Sequence, residues 1–100
     1  MGTRGRLRVL EDGWAWWCPA CEDFHGARSP GWTFSGDYLA PTFSPSFHVE
    51  YRNPEGRLLV RCHSAVALGR IHYGADSTHA CAGQTVPLPM PPAGPRGDPS

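Results

Sequence analysis

Lysine is missing from this 100-residue chain, whose nine positive side chains are all arginine and are matched by nine acidic ones. Zero formal net charge removes the electrostatic footprint that non-specific nucleic-acid binding requires. Also missing is any run approaching the ~18 apolar residues of a membrane-spanning helix. The opening residues lack the charged, apolar and small-residue order of a secretory signal, so the chain is expected to be neither secreted nor membrane-bound. In a reducing compartment its four cysteines are expected as thiolates rather than as disulfides, which favours metal over cross-links. Long helical patterns are scarce too. Eleven prolines and twelve glycines divide the chain into short segments, the composition of turns and strands.

One domain is all that this length allows. A chain of about 100 residues buries roughly 60–70% of its unfolded surface, so a staple would help it. The stretch Trp14-Ala15-Trp16-Trp17-Cys18-Pro19-Ala20-Cys21 offers one. A Cys-x-x-Cys turn brings two thiolates onto one ion, and tetrahedral zinc draws on Cys and His in such pairs.

The rest reads as hairpins. Leu7 and Val9 alternate with Arg6 and Arg8 before the Glu11-Asp12-Gly13 turn and the aromatic run, which predicts a first hairpin with the arginines on a solvated face. Glu22 to Gly26 has no helical period, which argues against a redox Cys-x-x-Cys at the start of a helix. Trp32 to Asp37 reads as a strand running into a glycine turn. Pro41 to Ser46 reads as an extended edge or crossover anchored by Phe43 and Phe47. Runs from Phe47 to Arg52 and from Arg57 to Val66 flank Asn53-Pro54-Glu55-Gly56, a strong turn sequence. A further turn at Leu68-Gly69-Arg70 leads into Ile71-His72-Tyr73, and Gln84 to Leu88 predicts a last short strand. Between them, Asp76 to Gly83 predicts one or two helical turns, with Asp76 or Ser77 as N-cap and Gly83 as the stop. The expected fold is therefore mainly β, small zinc-stapled antiparallel hairpins with one short helix near the C-terminal end. Residues 1–88 form the domain, and 89–100 a proline-rich extended tail.

Cys18 and Cys21 are the first expected ligands, and Cys62 the third, since a strand of a second hairpin meeting a Cys-x-x-Cys turn is how ribbon-type zinc sites close. For the fourth, His79 ranks first because it can approach from outside the sheet. His63 adjoins Cys62, and neighbouring strand residues face opposite ways. Cys81 lies two residues from His79, about 200° around a helix, so the two would not share an ion. Among His25, His48 and His72, His25 is the best further alternate because it follows Cys21 by four residues.

Taken in order, Cys18-Pro19-x-Cys21 with His25, Gly31-Trp32-Thr33-Phe34-Ser35-Gly36, Pro41-Thr42-Phe43-Ser44-Pro45-Ser46, Cys62-His63-Ser64, Gly69-Arg70-Ile71 and Asp76-Ser77-Thr78-His79-Ala80-x-Ala82-Gly83-Gln84-Thr85-Val86 resemble small zinc-ribbon-like proteins of tailed bacteriophages and prophages. The resemblance extends over about residues 16–88. Such proteins often carry the label ammonia monooxygenase, an activity for which this chain has neither a membrane span nor a copper site of the expected kind. The matching residues include Cys18, Cys21, Cys62, His63 and His79. Many relatives have Cys where this chain has Ser77, and an aliphatic residue where it has Cys81.

The resemblance implies a phage-derived domain located in the host cytoplasm or the virion. Its zinc is expected to be structural, because a closed site of three cysteines and one histidine leaves no coordination position for substrate. The expected role is non-enzymatic binding of a protein, either a capsid or tail component or a host protein. Nucleic-acid binding through Arg4, Arg6, Arg8 and the tryptophans is a less favoured alternative. A zinc hydrolase or deaminase using His63, Glu22 or Glu50 for proton transfer is another, although the Cys-Pro-x-Cys order does not match the deaminase signature.

Overall fold

The short apolar runs are realised as ten strands and no helix among residues 2–92, the part of the chain that the computed structural model describes. They are β1 (Thr3–Arg4), β2 (Leu7–Leu10), β3 (Gly13–Cys18), β4 (Asp23–Arg28), β5 (Thr33–Gly36), β6 (Pro41–Ser44), β7 (Phe47–Arg52), β8 (Leu58–Ala67), β9 (Arg70–Tyr73) and β10 (Thr85–Pro87). One sheet runs β1-β2-β3-β4, a second β10-β9-β8-β7, and β5 pairs with β6. Every pairing is antiparallel and joins neighbours in sequence, through short turns except between β9 and β10, which residues 74–84 connect.

Local chemistry explains the turns. Asn53 Oδ1 accepts from the amides of Glu55 and Arg57, and Gly56 takes φ +87°, which closes the β7–β8 hairpin. At the start of β3, a side chain in place of the Gly13 hydrogen would stand 2.3 Å from the Ala27 carbonyl oxygen, so only glycine lets β3 and β4 approach there.

The two large sheets meet in one core. Leu7, Trp16, Cys18 and Ala27 from the first pack with Phe47, Cys62, Val66, Ile71 and Tyr73 from the second, joined by Phe43 and Leu88. Each large apolar side chain fully buried there stabilises the fold by about 1.5–3 kcal/mol. Trp16 meets Phe47 edge-on at 5.3 Å, and Trp32 stacks on the same ring within 5° of parallel. The arginines of the first sheet are engaged rather than simply solvated. Arg4 lies over the Tyr38 ring, Arg8 over Phe24, and Arg6 donates to the carbonyls of Leu39 and Leu88.

Two expectations change. The segment from Glu22 to Gly26, read only as non-helical, ends the turn at Glu22 and from Asp23 onward belongs to β4, paired with β3. The short helix is not formed. β9 covers β8 only from Ser64 to Ala67, which leaves backbone groups of Arg61 and His63 open on that edge. Ser77 Oγ accepts from the His63 amide and donates to the His63 carbonyl, while Thr78 pairs with Arg61 through both its amide and its hydroxyl. The Ser77 hydroxyl expected to cap a helix completes a sheet edge instead, with Thr78 beside it, and residues 79–84 close by turns. Of the tail expected from residue 89, residues 93–100 lie outside the described residues.

Candidate metal centre

β3 ends at Cys18, and the next four residues turn the chain back into β4. Two contacts of this turn fix the first sulfur: the Glu22 amide bonds the Cys18 carbonyl at 2.8 Å, and the Cys21 amide points at Cys18 Sγ at 3.4 Å. An amide aimed at sulfur favours the thiolate. Alternation along β4 then places His25 opposite Trp16, on the inward side that Trp16 and Cys18 share. Across the core, β8 presents Cys62.

The result is a closed group. One ligand atom each from Cys18, Cys21, His25 and Cys62 lies within 4.8 Å of all the others. Cys18 Sγ and Cys62 Sγ are 4.0 Å apart, close to the ~3.8 Å edge of a tetrahedron with metal–sulfur bonds of about 2.3 Å. Cys18, His25 and Cys62 are buried and Cys21 is partly so. His25 Nε2 has no hydrogen-bond partner among the described residues although it is buried. An uncompensated buried imidazole nitrogen is costly, and a metal ion would satisfy it.

The thiols differ in their readiness to ionise. The hydrogen bond from Cys62 holds Cys18 down to about 3 against the opposing effect of burial, with His25, Tyr73 and the Cys21 amide adding to the depression. The Tyr73 hydroxyl lies 3.1 Å from Cys18 Sγ. Cys62 is pushed far up, first by that shared hydrogen bond and then by burial. Burial and the charge on Cys18 raise Cys21 to about 11. The group favours charge on Cys18 and opposes it on Cys21 and Cys62, so a cation that binds all three sulfurs displaces protons. Three thiolates and an imidazole suit Zn2+ among the common divalent ions, and the set leaves no fourth position open.

His79, ranked first for the fourth position, is not in this group. Its Nδ1 accepts from the Cys81 amide at 3.2 Å, its ring meets Tyr73 edge-on at 4.7 Å, and with Cys21, Ala20, Tyr51 and Val60 it lines a cavity of about 290 Å³. The physical reason is the missing helix, which had been the element meant to carry it inward. His63 points to the outer face beside Asp76, as strand alternation beside Cys62 requires. Cys81 packs on the edge of the core outside the thiol group. The signal that could have promoted His25 is the two-residue period of β4, counted forward from the Cys-x-x-Cys turn.

Neither a family model, nor a curated protein, nor a solved structure matches this chain.

Proposed function

We propose that the chain is a zinc-stabilised, non-enzymatic β-domain of the tailed-phage type, working by binding another protein, with a capsid or tail component as the first partner to test. The metal is structural in this reading, since its four donors come from the protein and are enclosed. Glu50, one of the three residues named for proton transfer with His63 and Glu22, faces away from the thiols and is tied to Arg52 and Arg61. That weighs against a hydrolase that relies on Glu50. The engagement of Arg4, Arg6 and Arg8 with Tyr38, Phe24 and backbone carbonyls likewise weighs against a phosphate-binding face.

The observation that carries the binding role is a convergence of exposed apolar residues. Leu39, Leu68 and Met90 are 61%, 77% and 56% exposed. Their segments meet at Gly69, whose amide bonds the Pro41 carbonyl, whose own carbonyl accepts from Leu88, and against which Leu39 and Ala40 pack closely. Leu68 sits in the left-handed region at φ +52°, which disfavours leucine. The two-residue hairpin turn accounts for that conformation, left-handed at Leu68 and Gly69 alike, but not for the choice of an apolar side chain held in water, which a partner would cover. Leu68→Asn tests this, because Asn tolerates that conformation. The variant should keep its zinc and its melting temperature while losing capture of purified phage capsids or tails. Undiminished capture would reject this surface, and capture from host extract alone would move the role to a host protein.

A further inference from the structure

The β7–β8 hairpin carries ligand-type side chains on both faces. Cys62 faces the core, and alternation turns its neighbour His63 outward. Directly across the ladder from His63 stands His48. Their rings are stacked, with centroids 5.6 Å apart and planes 24° from parallel. Both reach solvent, with side-chain exposures of 52% and 40% for His48 and His63.

Each ring has one nitrogen engaged by a carboxylate. His63 Nδ1 lies 3.1 Å from Asp76 Oδ1, and His48 Nε2 lies 3.1 Å from Glu50 Oε2. An ionised carboxylate only accepts, so the proton of a neutral ring sits on the nitrogen facing it. The lone pair is left on the other, Nε2 of His63 and Nδ1 of His48. A carboxylate behind each imidazole is the arrangement that orients metal-binding histidines and fixes their tautomer. Glu50 is held in that role by Arg52 at 2.6 Å and Arg61 at 3.4 Å. The two acids and two arginines balance, so an incoming cation meets no net repulsion.

We propose that His48 and His63 form a second metal site, which takes a divalent cation that prefers imidazole, Zn2+ or Ni2+, on the outer face of this hairpin. Cβ atoms opposite each other across an antiparallel pair are about 4.5–5.5 Å apart, so rotation about the side-chain bonds brings two ring nitrogens to metal bonds of about 2.0–2.1 Å on one ion. Two protein donors leave coordination positions for water or for a donor on another molecule. The ion is exchangeable there, unlike one enclosed by the thiols. No residue is shared with the buried centre, so the outer ion can be added or removed while the buried centre stays filled.

The test uses the full chain with its thiol centre already filled, titrated with Ni2+ alone. Calorimetry should count one added ion per chain, with shifts of the His48 and His63 ring signals in NMR spectra. His48→Ala and His63→Ala should each weaken Ni2+ by about tenfold or more, and Asp76→Asn by about tenfold through loss of the orienting carboxylate. His72→Ala removes another exposed histidine, one whose Nδ1 pairs with Thr85, and should leave the added ion unchanged. Because the His48 ring is on the surface, its variant decides the matter even if His63→Ala folds poorly. Unaltered Ni2+ binding by His48→Ala, or an equal loss in His72→Ala, would overturn the site.

Discussion

The sulfur atoms of Cys18 and Cys62 lie 4.0 Å apart although 44 residues separate them in the chain. One belongs to β3 of the first sheet and the other to β8 of the second, so whatever binds both joins the two sheets across the core. Tyr73 Oη, 3.1 Å from Cys18 Sγ, adds a second link between the same sheets.

Removing this link should unfold the domain. Structural zinc carries on the order of 10 kcal/mol or more of apparent binding energy, comparable to the ~5–15 kcal/mol that holds a typical domain folded. Elemental analysis should find one zinc in the thiol centre, and chelation or Cys62→Ser should abolish the cooperative thermal transition. A metal-free protein melting at the same temperature would reject the metal centre.

The fourth ligand can be separated from its rival by a chelator competition. His25→Ala should weaken zinc by at least about tenfold, whereas His79→Ala should leave affinity within a few-fold, since only His25 joins the thiol group. The reverse order would place His79 in the tetrahedron and His25 merely in the core.

Ser77→Ala should cost about 1–3 kcal/mol in urea unfolding, because it strips the partner from the His63 amide beside a buried side chain, while the His63 carbonyl keeps the Gly74 amide at 2.7 Å. An unchanged midpoint would mean that this edge of β8 is not closed by the hydroxyl.

Acid should weaken the fold through Glu50, whose carboxyl the Arg52 hydrogen bond, aided by His48, lowers from 4.5 to about 2. A depressed carboxylate stabilises fully above its unfolded value and loses that contribution as pH falls from about 4.5 towards 2. Comparing wild type with Glu50→Gln by urea unfolding across this window should show a flatter acid limb in the variant. The difference should shrink at high salt because the group is exposed. Identical pH profiles would show that the Glu50 cluster contributes nothing to stability.

The hairpins were legible because their determinants are local. Asn53 to Gly56 bonds itself into a turn, Leu68-Gly69 turns β8 into β9, and alternation in Leu7 to Leu10 needs no knowledge of the remote chain. The same locality made Cys18 and Cys21 a pair, since three residues of turn bring them together wherever the turn is placed. Ser77 and Thr78 show where this reasoning stops. Their hydroxyls suit a helix cap or a sheet edge equally well, and the unpaired stretch of β8 that decided between them lies 14 to 17 residues away.

Most of the strands, their turns and the pairing of Cys18 with Cys21 could be read from the chain alone, because each rests on residues within a few positions of one another, whereas β1 and β4 could not. Tertiary structure alone decided which histidine meets the thiols. That choice depends on the face of β4 turned towards β8, and the facing is settled only when Trp16, Phe47 and the rest of the core bury together.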